Sequence, residues 1–125
     1  MSSSTLTGKV ALITGGSKGI GKATAIRLAK DGANVVINYA SDANAATEVV
    51  EQIGKDRCLA IKADAGSLTG IEKLVDETIK RFGKIDILIP NAAVSHNLDL
   101  ASTTEDAFDS AINVNVKGPY FLCQV

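Results

Sequence analysis

Four short apolar runs, rich in β-branched residues, alternate with longer segments in which apolar side chains recur every three or four positions. The runs cover residues 10–13, 35–37, 58–61 and 85–89. A strand that is apolar on both faces must be covered on both sides, and the amphipathic segments can provide that cover as helices. This alternation predicts an α/β fold, a parallel sheet with crossover helices on both of its faces.

Glycine and capping residues mark where the predicted helices begin and end. The glycines at which the first three helices should stop are Gly32, Gly54 and Gly83. Ser67 can cap the third helix, and Ser102 with Glu105 offers a capping box for the fourth. The fourth helix is predicted to bend near Gly118 and Pro119, because proline interrupts helical hydrogen bonding.

A glycine-rich loop, Thr-Gly-Gly-Ser-Lys-Gly-Ile-Gly at residues 14–21, joins the first strand to the first helix. Backbone N–H groups and the helix dipole at such a junction favour an anion, and glycine lets a diphosphate approach the backbone closely. The alternative is a flexible connection without a ligand. The candidate phosphate-binding residues are Gly15, Ser17, Lys18, Gly19, Ile20 and Gly21.

Charge and composition exclude several classes of partner. The 13 Lys and Arg residues balance 14 Asp and Glu residues, giving a net charge of -1, so neither nucleic acid nor an anionic membrane surface is expected as the main partner. No apolar run approaches the roughly 20 residues of a membrane helix, and the polar start does not resemble a signal peptide. We therefore expect a cytoplasmic protein. Cys58 and Cys123 should pack as buried apolar groups, with no metal bound.

The GxxxGxG spacing of the loop resembles the TGxxxGIG form found in the short-chain dehydrogenase/reductase family. Three further positions resemble that family in the same order: Asp64 after the third strand, Asn91-Ala92-Ala93 after the fourth, and Asn115 in the last helix. The resemblance runs from about residue 7 to the last residue. It implies a Rossmann-type α/β fold, a doubly wound parallel sheet with strand order 3-2-1-4. It also implies an oxidoreductase that transfers hydride between a nicotinamide dinucleotide and a small carbonyl or alcohol substrate.

The resemblance also implies a role for each position. Asp64, with Ala65 beside it, would bind the adenine amino group, residues 91–93 would lie against the cofactor, and Asn115 would be catalytic by holding a proton-relay water. Each residue type has a structural alternative as well. Asp64 can cap the following turn, Asn91 can be a turn residue, and Asn115 can bond the backbone of its own helix at the bend.

The end of the second strand bears on which nicotinamide cofactor binds. Its candidate cofactor-binding residues are Asn38, Tyr39, Ala40 and Ser41, none of which is an acid that could accept a hydrogen bond from the ribose 2′-OH of NAD(H). The nearest acid, Asp42, fits the first turn of the next helix. Lys18 stands where NADP-preferring relatives often have a base, although it can also be a solvated loop lysine. We predict NADP(H) rather than NAD(H), as in the NADPH-dependent carrier-protein reductases and fungal polyketide reductases that this ending resembles.

The family's catalytic YxxxK motif has no match in these 125 residues, because Tyr39 is followed four positions later by Ala43 and Tyr120 by Gln124. Asn115 is then the one catalytic candidate. We interpret residues 1–125 as an NADP(H)-binding Rossmann domain, truncated to four strands and lacking the family's C-terminal catalytic half. The alternative is a nucleotide-binding or self-associating module without catalysis.

Self-association is expected in either case. An unpaired outer edge on the fourth strand, with the apolar residues Val114, Phe121 and Leu122 near it, predicts a homodimer or larger assembly. His96, in the loop after the fourth strand, is expected to be exposed.

Overall fold

The fold is built on one parallel sheet of four strands, as the computed structural model describes it for residues 5–125. The strands are β1 Val10–Ile13, β2 Asn34–Tyr39, β3 Cys58–Lys62 and β4 Ile87–Ile89. They lie in the order β3-β2-β1-β4, and every neighbouring pair is parallel. The predicted fold class and strand order are therefore confirmed.

Helices cover both faces of the sheet. They are α1 Gly19–Lys30, α2 Ala43–Ile53, α3 Leu68–Phe82, α4 Glu105–Ile112 and α5 Gly118–Gln124, with a π-helical turn, Asn113–Lys117, between the last two. Ile13 and Ile37 belong to the buried cluster that includes α1 and α2, whereas Leu12 and Val36 belong to the cluster that includes α3 and α5. Consecutive strand residues point to opposite faces, so each strand contributes to both clusters.

Helix α1 packs closely on the sheet because its buried positions carry small side chains. Gly21, Ala25 and Ala29 are the buried residues of this helix. Its predicted end is confirmed, since Gly32 follows with φ of 109°. The close approach brings the start of α1 beside the carboxyl end of β1, where the glycine loop lies.

Strand β4 is shorter than predicted and begins at Ile87 rather than at residue 85. The Asp86 carboxylate accepts a hydrogen bond from the Val10 N–H at 2.8 Å, while the Asp86 N–H donates to the Val10 carbonyl at 2.8 Å. The Val10 N–H thus bonds a side-chain oxygen instead of a backbone carbonyl of the fourth strand. The regular backbone pairing with β1 therefore does not extend back to Ile85. Strand β2 is longer than predicted by one residue at its start and two at its end.

The predicted cap of the fourth helix was wrong. Thr104 caps α4, accepting a hydrogen bond from the Ala107 N–H at 3.1 Å. Ser102 instead belongs to the preceding turn, where its N–H donates to Asp99 Oδ1 at 2.7 Å. Because that turn occupies Ser102, the helix begins two residues later than a cap at this position would allow.

The last helical segment contains a π-helical turn that ends at Lys117, directly before the glycine at which the bend is predicted. The bend itself stays a prediction. Gly118 is buried, and a Cβ on it would collide with the Ala65 carbonyl oxygen. The helix therefore passes directly against the loop after β3. None of the helices in residues 5–125 combines the length and apolar character needed to cross a bilayer.

The two cysteines have different surroundings. Cys58 is buried as predicted, and this burial raises the pKa of its thiol to about 11, partly opposed by the charge of Arg81. The prediction for Cys123 was wrong, since that residue is exposed near the end of α5. His96 is exposed in the loop after β4, as predicted.

Candidate functional site

A cleft of about 340 Å³ lies at the carboxyl ends of the strands. The residues predicted from the sequence that line it are Gly15, Asn38, Ala40, Asp64, Ala65, Asn91, Ala92 and Ala93. Ala63, Val94 and Val114 line it as well and were not predicted as site residues. The cleft is bordered by the residues that follow β1 and β4, which are the strands at which the order of the sheet reverses. Crevices at that point are the usual ligand sites of open α/β sheets.

Two glycines allow the loop to fold tightly against its neighbours. Gly15 has φ of 65°, and a Cβ there would lie 3.0 Å from the Ala92 Cα atom. A Cβ on Gly21 would collide with the Gly15 carbonyl oxygen and lie 2.6 Å from Asn91 Nδ2. The glycines are therefore required by close backbone approach within the protein, in addition to any approach by a ligand.

The start of α1 differs from the starts of the other helices that follow loops. Asp42, Ser67 and Thr104 cap α2, α3 and α4 by accepting hydrogen bonds from backbone N–H groups. At the start of α1 the capping position is Lys18, whose side chain makes no such bond, and the first turn contains no acidic residue. The first-turn N–H groups of α1 therefore have no side-chain acceptor, which suits an external anion such as a phosphate.

Asn38 holds the glycine loop to the end of the sheet. Its side chain is 2% exposed, accepts a hydrogen bond from the Gly15 N–H at 3.2 Å and donates to the Ala63 carbonyl at 2.8 Å. The amide is thus used within the protein. Asn38 lines the cleft, but its side chain fixes the backbone of the loop rather than being free to bind a ligand.

Asn91 holds the loop after β4 to the glycine loop. Its Nδ2 atom donates to the carbonyls of Thr14 and Gly15, at 3.2 Å each. The Ala92 N–H also donates to Thr14 Oγ1 at 3.0 Å. Thr14 is buried and was overlooked as a site residue, although it opens the glycine motif and its hydroxyl was the available signal.

Asp64 both lines the cleft and stabilises a turn. Its Oδ1 atom accepts a hydrogen bond from the Gly66 N–H at 2.8 Å. The capping role offered as an alternative from residue type is therefore present. The second carboxylate oxygen is not used in that bond, so the same side chain retains an acceptor for a ligand.

Asn115 bonds a distant loop rather than its own helix. Its Nδ2 atom donates to the Val94 carbonyl and its Oδ1 atom accepts from the Val94 N–H, both at 2.9 Å. The alternative of a bond to its own helical backbone was wrong. Asn115 does not line the cleft, but it fixes Val94, which does.

The remaining predicted residues lie beside the cleft or away from it. Ser17 and Gly21 are buried within the glycine-rich segment 14–21, and Ile20 is 79% exposed at the start of α1. Tyr39 borders a separate groove between α2 and β3, so the structure does not bring its side chain into the cleft. No group of three His, Cys, Asp or Glu side chains with metal-binding geometry occurs in residues 5–125.

Lys18 and Asp42 form an ion pair, with Lys18 Nζ 2.8 Å from Asp42 Oδ2. Asp42 is the capping residue of α2, one position before the first turn in which it was predicted. The Lys18 ammonium, together with the N–H of Ala45, holds the pKa of the Asp42 carboxyl below its usual value. Lys18 is thus exposed to solvent but paired with a carboxylate.

Comparisons with known proteins agree with this arrangement. A family profile described as short chain dehydrogenase matches residues 9–125. A hydroxynaphthalene reductase-like protein of Metarhizium robertsii is 41% identical over 121 residues, which are 95% of this chain and 45% of that protein. The chain spans about half the length of the curated relatives it matches.

Solved structures give the same result. A short chain dehydrogenase from Burkholderia cenocepacia in complex with NADP is 42% identical, with a TM-score of 0.92 over 95% of this chain and 49% of that one. A 3-ketoacyl-(acyl-carrier-protein) reductase from Brucella melitensis complexed with NADH is 39% identical, with a TM-score of 0.88 over 96% of this chain and 49% of that one.

Proposed function

The chain belongs to the short-chain dehydrogenase family of oxidoreductases, and from this premise we propose that residues 1–125 form an NADP(H)-binding Rossmann domain. The observation that carries the proposal is the start of α1, which has no side-chain cap and follows a glycine loop that lines the cleft. A diphosphate there would accept hydrogen bonds from the first-turn N–H groups and gain from the helix dipole. The cofactor's two ends would extend along the cleft on either side of that point.

The adenosine end of the cofactor would lie between the residues after β2 and those after β3. Ala40 and Asp64 line the cleft there, and Asp64 keeps a carboxylate oxygen that can accept a bond from the adenine amino group. The nicotinamide end would lie against residues 91–94. This region is held in place by the Asn91 and Asn115 side chains, so the surface that meets the cofactor is formed before it binds.

We propose a preference for NADP(H) over NAD(H). No acid occurs at residues 38–41, where a carboxylate would accept the ribose 2′-OH of NAD(H), and Lys18 supplies a positive charge beside this end. The relatives include a structure in complex with NADP and another with NADH, which supports a nicotinamide cofactor in general and leaves the preference to residues of this chain.

The reaction we propose for the protein is hydride transfer between the nicotinamide and a small carbonyl or alcohol. NADP(H), when bound, supplies or accepts the hydride. Asn115 is the proposed catalytic residue of this segment. The Asn115 side chain already hydrogen-bonds the backbone of Val94. Asn115 would therefore act through the backbone of the π-helical turn, where the irregular hydrogen bonding can leave a carbonyl oxygen available to accept a hydrogen bond from a water. The 125 residues contain no YxxxK motif, so the proton-transferring tyrosine is not supplied from within them.

A non-catalytic, self-associating nucleotide-binding module is the second candidate. It is favoured by four exposed apolar side chains spaced four residues apart along α4, the π-helical turn and α5. We name them the apolar stripe: Phe108, Ile112, Val116 and Tyr120. In either case we propose a homo-oligomer, since exposed apolar surface of this kind recruits partners.

We also propose a cytoplasmic location, because the free thiols of Cys58 and Cys123 suit a reducing compartment.

The proposal is tested by titrating the 125-residue protein with NADPH and NADH and following nicotinamide fluorescence. We expect both to bind, and NADPH to bind more tightly. Equal affinities or a preference for NADH would contradict the proposed selectivity. Binding of neither nucleotide would contradict the proposed function itself.

A further inference from the structure

The ion pair between Lys18 and Asp42 joins two loops at the adenosine end of the proposed site. Lys18 is the capping position of α1, and Asp42 follows Ser41 directly. The two side chains are 67% and 43% exposed, so the pair is accessible to a ligand. Here the base on which NADP(H) selectivity is proposed to depend already has an anionic partner, at 2.8 Å.

Asp42 is held in position independently of Lys18. Its Oδ1 atom accepts a hydrogen bond from the Ala45 N–H at 3.0 Å and so caps α2, while its Oδ2 atom meets the lysine. The helix dipole of α2 further favours a carboxylate at this point. Lys18, by contrast, has a long flexible side chain. In any rearrangement, the lysine moves and the carboxylate stays.

Resting on the proposed function, we propose that Asp42 sets the cofactor selectivity of this chain by competing with the 2′-phosphate of NADP(H) for Lys18. An exposed ion pair is weak, so a phosphate dianion can draw the lysine away from the carboxylate. Doing so breaks the ion pair and leaves Asp42 without its cation. NAD(H) has a hydroxyl in place of the phosphate and leaves the ion pair intact. Asp42 therefore narrows the preference for NADP(H) that Lys18 creates.

The experiment separates the charge of Asp42 from its capping role. Asparagine and serine cap helices about as well as aspartate, so Asp42→Asn and Asp42→Ser should retain the start of α2 while freeing Lys18. At low salt we expect both variants to bind NADPH about two- to fivefold more tightly, because the phosphate no longer has to break an exposed ion pair to reach Lys18. NADH affinity should change less than about twofold, and the gain for NADPH should shrink in high salt.

Repeating the Asp42 substitution in a variant that lacks the Lys18 charge shows whether the effect depends on that lysine. In Lys18→Gln, which removes the cation, Asp42→Asn should bring no comparable gain in NADPH affinity. A gain that persists there would overturn competition for the lysine in favour of direct repulsion. An unchanged ratio of NADPH to NADH affinity in both Asp42 variants, or weaker NADPH binding, would overturn the inference and leave the proposed function standing. If the unmodified chain binds neither nucleotide, both fail.

Discussion

Gly19 combines a left-handed backbone, with φ of 56°, and open space where a Cβ would point. A side chain there would meet nothing in the protein and would project from the start of α1, where the diphosphate is proposed to bind. Gly19→Val is therefore expected to abolish binding of NADPH and NADH alike, since both cofactors carry the same diphosphate. Fluorescence titration of the purified variant measures this.

The matched control for this change is Gly83→Val. Gly83 also has a left-handed backbone, with φ of 83°, and also has open space around a Cβ, but it ends α3 away from the cleft. Both variants should lose stability from backbone strain, typically about 1–2 kcal/mol or more for a left-handed residue. Only Gly19→Val should lose the nucleotide. If both variants lose binding equally, the loss is due to impaired folding and not to a blocked diphosphate site.

Asp86 links the pH dependence of stability to the edge of the sheet. The Val10 N–H, and then Lys84, hold the pKa of the Asp86 carboxyl below its usual value. A carboxyl with a depressed folded-state pKa stabilises the fold above its unfolded pKa, about 3.9, and loses that contribution as pH falls through the folded value. Asp86→Asn should be less stable than the parent at neutral pH, and the difference should shrink progressively as the pH falls below about 4.

Urea unfolding at a series of pH values checks this expectation. Asp76→Asn, on the exposed surface of α3, serves as the control and should follow the parent across the range. A difference between Asp86→Asn and the parent that stays constant down to pH 2 would show that the carboxylate charge does not stabilise the strand edge.

The residues of the candidate site could be identified by type and place in the sequence, but their bonds could not. Asn38 lies near the end of β2, and Asp64 and Asn91 follow β3 and β4. The carboxyl ends of parallel strands meet at one edge of the sheet, so the grouping of these residues follows from a parallel sheet. Asn38 bonding both Gly15 and Ala63, or Asn115 bonding Val94, depends on distances between segments that are far apart in sequence. Periodicity carries no information about such contacts, nor about the groove between α2 and β3 that Tyr39 borders.

The start of α4 offers a direct test of a corrected element. Thr104→Ala should remove the cap and weaken α4 by about 1 kcal/mol, whereas Ser102→Ala should have little effect. Because α4 has no buried residues, the loss will be local. Amide hydrogen exchange in α4 should be about fivefold faster in Thr104→Ala, as that free energy implies. Faster exchange in Ser102→Ala than in Thr104→Ala would show that Ser102 is the cap.

Element boundaries were harder to predict than the elements themselves. All four strands and the helices between them follow from apolar periodicity and glycine, which are properties of each segment alone. The cap of α4 and the start of β4 were decided by carboxylates elsewhere. Asp99 engages Ser102 in a turn, and Asp86 takes the N–H of Val10. Competition of this kind among short polar side chains is not visible in one segment's pattern.

For the whole molecule we expect self-association through the apolar stripe or through the outer edge of β4. The stripe residues are between 42% and 66% exposed, and β4 pairs with β1 alone in the described sheet. The earlier expectation for Val114 was wrong, since it lines the cleft, and Leu122 is buried beside the β4 edge. Light scattering at tens of micromolar should show a dimer or larger species.

Two variants identify the surface. Val116→Lys puts a charge in the stripe, and Ile87→Lys puts one on the edge strand. The variant whose charge lies in the true interface should shift the protein toward monomer. The other variant should keep the oligomeric state of the parent. A parent protein that is already monomeric at that concentration, and is unaffected by either change, would contradict the expectation.

The most direct test maps where the nucleotide binds. Amide chemical-shift changes in isotope-labelled protein on addition of NADPH should be largest at residues 15–21, 38–41, 64–65 and 91–94, which surround the cleft and the start of α1. They should be small in the groove between α2 and β3, at Thr47, Lys55 and Arg81. Changes concentrated in that groove, or none at saturating NADPH, would contradict the assignment of the cleft as the cofactor site.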